Sequence, residues 1–412
     1  MSRREIVVVG ASAAGVSSAM AMRKAGFDGG ITVFDSDPHQ PYERPPLSKN
    51  LLSGGVATLK PLYPQADYED NGIKLILGQG VDSLDNERRR VNLTGGDSLP
   101  ADQVVLATGV AARRLQVPGA DLGNVLVLRD AADANALSAQ MANGGPLVII
   151  GGGFIGLELA ALARENDVDA TIVEVAPLPL MSAGLPIGEL TRNLHQERGV
   201  RFVLGSSVSS FEGASNVEAV ILDNGTRLPA ATVVVGVGVV PRVDLARAAG
   251  VEVDSAGIVV DGIGRTSTEW MYAAGDVASQ PHPALAVRGR IEHWDTAIRH
   301  GSAVGATVAG TPTRFDSLPY AWSDQYGMTL QVFGRIRSTD RFVMRRGFTS
   351  ERYLAFWLRD EKIGAAMGLN TSRELAATRR LIEGELVVPV DSLSDPDVDL
   401  RKLAKELSTT RG

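Results

Sequence analysis

The 412-residue chain contains no cysteine. That excludes disulfides, thiolate metal sites and any cysteine redox relay. Long apolar runs are also missing. Stretches such as ATVVVGVGVV at 231–240 fall far short of the ~20 residues that a membrane-spanning helix needs. The five histidines are scattered, and their spacing fits no metal site. There is no excess of positive charge either. A net charge of −7 argues against wholesale nucleic-acid binding and leaves room only for a local basic patch. The start, MSRREIVVVG, passes from a short basic stub into a strand without a separate apolar signal core. A cytoplasmic protein without metal, nucleic-acid or membrane association is expected.

The composition, 44% hydrophobic and 22% charged, fits an ordinary globular chain long enough for two or three domains. The chain also repeats itself. IVVVGASAAG at 6–15 matches LVIIGGGFIG at 147–156, and ITVFDSD at 31–37 matches TIVEVAP at 171–177. GIKLILG at 72–78 matches GVRFVLG at 199–205, and LPADQVVLATG at 99–109 matches LPAATVVVGVG at 228–238. Each copy runs strand, glycine turn, helix, strand, so two α/β nucleotide-binding units are expected. From Asp35 to Gly72 is 37 positions in the first copy, whereas Glu174 to Gly199 is 25 in the second. The surplus contains ERPPLSKN at 43–50, whose two prolines fix φ and stiff the approach to Lys49.

Both copies carry a dinucleotide fingerprint. In the first, Gly10 opens the turn after a buried strand, Gly15 lets the next helix pack closely, and Ser12 stands where the pattern has glycine. Asp35 follows at the end of the second strand, where a carboxylate can hold a ribose hydroxyl. In the second copy Gly151, Gly153 and Gly156 complete G-x-G-x-x-G, and Glu174 follows. A carboxylate there favours NAD over NADP, and no arginine lies between residues 171 and 191 to clamp a 2′-phosphate. The stretch TSTEWMYAAGDVAS at 266–279 reads as a strand ending in Gly275–Asp276, suited with a following helix to a flavin ribityl chain. Because it comes after the second repeat, the second domain is expected as an insertion in the first. From about residue 320 short strands give way to two helices, ELAATRRLIEG and VDLRKLAKEL. The expected organisation is an FAD-binding domain at 1–112 and 241–319, an NAD-binding domain at 113–240, and a C-terminal α+β domain at 320–412.

GASAAG, ERPPLSK, LATG at 106–109, GGGFIGLELA at 151–160, YAAGDVA at 272–278 and EHWDTAIRHG at 292–301 together resemble the FAD-dependent NADH:ferredoxin reductases of glutathione-reductase fold. These serve haem-thiolate monooxygenases and Rieske dioxygenases. The resemblance spans roughly residues 5–370. It implies FAD on the first site and NADH on the second. By motif it places Ala14, Asp35 or Ser36, Lys49, Val81, Arg129, Asp276, Val277 and Trp294 against FAD, with Arg44 and Ala107–Thr108–Gly109 lining the same pocket. It places Gly153, Phe154, Ile155, Glu158, Glu174 and Gly238 against NADH. Where the family often has an arginine after the Glu174 position, this chain reads APLPLMSAG.

The nicotinamide must stack on the flavin for hydride transfer, within ~3–3.5 Å, and Phe154 is expected to border that stack. Lys49 is a point charge suited to the negative charge that arrives with the hydride, and Glu158 is expected to pair with it. Relatives on this fold that reduce disulfides or peroxides use cysteine beside the flavin. This chain has none, so electrons must leave one at a time for an outside acceptor. A [2Fe–2S] ferredoxin is expected, with a rubredoxin as the alternative. A NADH-sensing flavoprotein that works by partner binding is a reading from another class. Trp322 is either a flavin neighbour or an interdomain packing residue. Arg288, Arg290, Arg335, Arg337, Arg345 and Arg346 are candidates for docking an acidic ferredoxin. A monomer or weak homodimer is expected.

Overall fold

The computed structural model describes residues 4–49, 58–285 and 288–409. Asn50, the last residue of ERPPLSKN, lies outside them. The chain groups into two compact units. One holds Met1–Arg44, Leu59–Ala111 and Val239–Pro319; the other holds Pro45–Thr58, Ala112–Gly238 and Tyr320–Gly412.

The first unit is built on a five-stranded parallel sheet in the spatial order Met271–Ala273, Gln103–Leu106, Glu5–Val9, Gly30–Asp35, Ile73–Leu77. Ile6 and Val8 face one way, into a core with Ala13, Val16 and Val304. Val7 and Val9 face the other, against Leu84, Val91 and Leu93. Those three belong to an antiparallel layer made by Val81–Asp85, Arg90–Leu93 and Ser98–Pro100. Both faces of the first strand are therefore covered, which is why IVVV shows no polar alternation.

The helix Ala13–Lys24 packs along the helix Trp294–Val308. The approach is close because two glycines one helical turn apart offer no side chain. A Cβ on Gly301 would lie 2.2 Å from the Ala14 carbonyl oxygen, and one on Gly305 would lie 2.2 Å from that of Ser18. Gly301→Ala should force the helices apart and lower the unfolding free energy by roughly 1–3 kcal/mol, the usual cost of overpacking. Denaturant unfolding of the flavin-loaded protein measures it.

The second unit repeats the plan. Its parallel sheet runs Arg201–Leu204, Ala170–Glu174, Leu147–Ile150, Thr232–Val235, Val125–Leu126. Val208–Glu212, Ala219–Leu222 and Arg227–Pro229 form its antiparallel layer. Every strand matched between the sequence repeats occupies the same place in the two sheets. The same unit also holds a five-stranded antiparallel sheet in the order Tyr320–Gln325, Met328–Gly334, Lys362–Leu369, Tyr353–Arg359, Arg341–Met344. The helix Ser372–Glu383 covers it.

Three local details differ from the sequence reading. Within ERPPLSKN, Pro45–Ser48 forms one tight turn of helix, and the stretch divides, with Glu43 and Arg44 in the first unit and Pro45 to Lys49 in the second. Gly275–Val277 is a single tight turn of helix that runs into the short strand Ala278–Ser279 instead of a longer helix. The helix Val390–Ser394 was not anticipated, because at five residues it is too short to show a period.

Candidate nucleotide and redox site

Each fingerprint builds the same cradle from backbone. Gly10 has φ +107° and Gly151 φ +110°, a region closed to most side chains. A Cβ on Gly10 would lie 2.3 Å from the Ala107 carbonyl oxygen, and one on Gly151 would lie 2.4 Å from that of Gly236. Gly15 and Gly156 then let the helix start turn back on the loop. A Cβ there would sit 1.8 Å from the Gly10 oxygen or 2.1 Å from the Gly151 oxygen. The helices that follow, Ala13–Lys24 and Phe154–Glu165, have no side-chain cap and no acidic residue in their first turns. Their N-terminal N–H groups and positive dipole ends suit a pyrophosphate. Beyond the second cradle, a Cβ on Gly153 or Gly238 would meet nothing within 4 Å.

The two acidic residues are positioned alike. The Ala11 N–H donates to Asp35 Oδ2 at 2.6 Å and the Asp37 N–H donates to Oδ1 at 2.9 Å. In the second copy the Gly152 N–H donates to Glu174 Oε2 at 2.6 Å and the Ala176 N–H donates to Oε1 at 2.8 Å. Each carboxylate is thus fixed beside its glycine loop with lone pairs left for a ribose diol. The first copy has a concave extension lined by Ala11, Ser12, Asp35, Asp37, His39, Pro41, Tyr42 and Arg44. Asp37 is held there by His39 Nδ1 at 2.6 Å and by the Tyr42 hydroxyl at 3.0 Å. Burial alone would raise the Asp37 pKa, but hydrogen bonds from His39 and Tyr42 outweigh it and hold the carboxyl below its ordinary value.

Of the anticipated residues, the first unit contains Gly10, Ala14, Gly15, Asp35, Ser36, Arg44, Val81, Ala107, Thr108, Gly109, Asp276, Val277 and Trp294. The second contains Lys49, Arg129, Gly151, Gly153, Phe154, Ile155, Glu158, Glu174 and Gly238. The Thr108 hydroxyl donates to the Arg242 carbonyl at 2.8 Å, which ties the LATG turn to the returning chain. Trp294 begins a helix whose N-cap, His293, makes no side-chain cap. The Val277 side chain is fully buried in the core with Val9 and Leu106.

Lys49 and Glu158 meet within the second unit. Lys49 Nζ lies 3.1 Å from Glu158 Oε1, 3.2 Å from the Pro45 carbonyl oxygen and 3.8 Å from Asp324 Oδ2. The stiff PPLS turn packs on the helix bearing Glu158, and the lysine leaves directly from its end. Glu158 is only 6% exposed. It also accepts from the Ser48 hydroxyl, and from the Ser323 hydroxyl at 2.7 Å. Sequence reasoning missed Ser323, together with the buried Gln325 and His195 next to it. A signal was present. Ala321, Ser323 and Gln325 occupy the inward phase of their strand, and polar residues on that phase demand polar partners.

The candidate arginines differ in what they meet. Arg288 donates to the carbonyls of Val260 and Ser279, and Arg290 to that of Ala256 and to Glu292. Arg345 donates to the carbonyls of Leu393, Pro396 and Val398. Arg346 lies 3.7 Å from Asp395 Oδ1. Arg288, Arg335 and Arg346 are exposed.

Two buried histidines make the fold acid-sensitive. Burial lowers His195 from 6.5 to about 4 and His300 from 6.5 to about 3. Unfolding exposes both, so below pH 6.5 the unfolded chain takes up protons that the native chain refuses. Stability should fall steadily as pH drops from 6.5 towards about 3 and be insensitive to these groups above that window. Urea midpoints measured across the range check this.

Two cradles in one chain, each with its own acidic residue, and a partly buried lysine–glutamate pair define a two-nucleotide redox protein. The comparisons agree. Residues 4–301 match the pyridine nucleotide-disulphide oxidoreductase family and residues 320–404 match the reductase C-terminal domain. The chain belongs to that oxidoreductase family, whose members bind FAD and depend on NAD(P)H. It is 36% identical to rhodocoxin reductase of Rhodococcus erythropolis, over 96% of this chain and 93% of the relative. It is 35% identical to the ferredoxin reductase component of chlorobenzene dioxygenase from Cupriavidus sp. (strain PS12), over 97% of each. The solved covalent complex of putidaredoxin reductase with putidaredoxin contains a chain that is 31% identical, with a TM-score of 0.94, covering 99% of this chain and 100% of that one. No helix among the described residues is long and apolar enough to cross a membrane, and none of their His, Asp and Glu side chains cluster as a metal site.

Proposed function

We propose that this protein passes electrons from NADH through FAD to a [2Fe–2S] ferredoxin that serves a monooxygenase or a ring-hydroxylating dioxygenase. The observation that carries this reading is the doubled cradle combined with a cysteine-free chain. Two nucleotides are accommodated, yet no thiol exists to take electrons onward, so the acceptor must come from outside. The full-length likeness to reductases named for ferredoxin partners supports the choice of acceptor.

In this reading the first cradle holds the FAD pyrophosphate, with Asp35 on the ribose and Asp37, Tyr42 and Arg44 around the adenosine end. Asp276 and Trp294 belong to the isoalloxazine half. The second cradle holds NADH, with Glu174 on the adenosine ribose and Phe154 and Ile155 at the helix start. FAD, once bound, supplies the step from hydride to single electrons. Lys49 contributes a fixed positive charge beside it, and Glu158 with Ser48 and Pro45 keeps that charge from swinging into solvent.

Glu174→Ala removes both the ribose acceptor and the repulsion of a 2′-phosphate. It should raise KM for NADH about tenfold, the scale of one lost hydrogen bond to a charged group, and narrow the NADH/NADPH preference. Steady-state kinetics with both nucleotides and ferricyanide check it. Ferredoxin reduction, followed through cytochrome c, tests the acceptor. It should be supported by a [2Fe–2S] ferredoxin and weaken with salt, while ferricyanide reduction stays nearly constant. Faster turnover with rubredoxin would replace the ferredoxin reading. Slow reduction of both would favour a sensing role.

A further inference from the structure

Glu158 is the end of a longer buried chain of hydrogen bonds. Ser323 Oγ lies 2.7 Å from Glu158 Oε1, and Gln325 Nε2 lies 3.0 Å from Ser323 Oγ. Gln325 Oε1 lies 2.8 Å from His195 Nε2, and the Tyr326 hydroxyl lies 3.0 Å from His195 Nδ1. Ser323 and His195 are wholly buried and Gln325 is 5% exposed. All lie in the second unit.

The donor directions follow from the chemistry of each group. An ionised Glu158 can only accept, so Ser323 donates to it. Ser323 has then used its proton and must accept from the Gln325 amide. The Gln325 oxygen is left to accept, which places a proton on His195 Nε2. His195 Nδ1 must therefore accept from the Tyr326 hydroxyl. Every bond points toward Glu158, and with a neutral His195 reversing any one leaves two donors or two acceptors facing each other. Burial that lowers the His195 pKa to about 4 agrees with a neutral ring.

The turn carrying this chain is costly. Tyr326 has φ +53° and Gly327 φ +69°, the two-residue hairpin turn that favours asparagine before glycine. Placing a tyrosine there strains the backbone. What the tyrosine gains is its hydroxyl on His195 and its ring beneath Arg198, whose guanidinium carbon is 4.7 Å from the ring centroid. Arg198 is in turn paired with Glu351 at 2.7 Å.

We propose that Tyr326, His195, Gln325 and Ser323 form a one-directional hydrogen-bond chain through which the first hairpin of the C-terminal domain positions Glu158 and, through it, Lys49. These are positioning residues, and the proposal rests on the reading of Lys49 as the charge beside FAD. It makes the C-terminal domain part of the redox site in addition to any docking role.

Two measurements on the FAD-loaded full chain test it. Nitrogen-15 NMR of the histidines should show His195 neutral with its proton on Nε2 at about neutral pH; a Nδ1–H tautomer or a cationic ring overturns the chain. A double-mutant cycle reads the coupling. Ser323→Ala should slow flavin reduction at saturating NADH about fivefold, as one lost hydrogen bond implies. In a Lys49→Met background it should cause no further slowing. If Lys49→Met slows reduction and Ser323→Ala does not, or if the two effects simply multiply, the positioning proposal fails alone. If Lys49→Met has no effect, the reading of Lys49 falls, and the proposal with it.

Discussion

Lys49→Met should slow flavin reduction by saturating NADH about a hundredfold, the scale seen when one preorganised charge or donor is removed from a reaction centre. Lys49 is held by Glu158, Pro45 and, at longer range, Asp324. That is more than a surface lysine gathers, and it costs side-chain entropy. The side chain is about one-fifth exposed and Glu158 only 6%, so the pair is partly desolvated and each partner depends on the other. Methionine keeps the length and apolar stem and removes the charge. Glu158 would then be left buried without its cation, so some loss of stability is expected beside the loss of rate. With NADH in the second cradle, as proposed, its affinity should change little. Single-turnover stopped-flow kinetics separate the rate constant from binding.

The second large effect is a pair of matched substitutions that the repeat makes possible. Gly15→Ala and Gly156→Ala are the same change in equivalent places. In each, the added methyl would fall about 2 Å from a loop carbonyl oxygen, 1.8 Å in the first copy and 2.1 Å in the second. Neither loop can absorb that without moving its N–H groups. Gly15→Ala should yield protein that loses its flavin on purification. Gly156→Ala should remain yellow and reducible by dithionite while NADH affinity falls between about tenfold and a hundredfold, from an overpacking cost of roughly 1–3 kcal/mol. Visible absorbance of the purified proteins and NADH titration report the two outcomes. Identical behaviour of the two variants would remove the division of labour between the cradles.

Much of the architecture was legible because it obeys short-range rules. IVVVG and LVIIG are uniform apolar runs ending in glycine, and the structure shows both as central parallel strands flanked on each face. Asp35 and Glu174 end their second strands at similar distances from the turn, 25 positions after Gly10 and 23 after Gly151, and the structure gives them equivalent pairs of backbone donors. The Lys49–Glu158 contact joins residues 109 positions apart. It was expected only through the family resemblance, since no local pattern encodes it.

What escaped notice was long-range in the same way but lacked a motif. Ser323, Gln325 and His195 come from two distant segments, and each alone reads as an ordinary polar residue. The inward phase of YAWSDQ hinted that Ser323 and Gln325 would be buried, but not that Glu158 would meet them. Arg288, Arg290 and Arg345 show a different limit of sequence reading. Counting charges made them candidates for a docking surface, and the fold adds that each donates to main-chain carbonyls of its own chain. Composition reports a guanidinium; only the fold reports which acceptor it meets.

Double-mixing stopped-flow spectroscopy tests the central claim most directly. The FAD-loaded protein is first mixed with NADH and then with an oxidised [2Fe–2S] ferredoxin, with flavin and iron–sulfur absorbance followed together. The account predicts rapid bleaching of the flavin by NADH and much slower bleaching by NADPH. It then predicts reduction of two ferredoxins per NADH consumed, one electron each. A flavin that NADH reduces but that ferredoxin fails to reoxidise would contradict it.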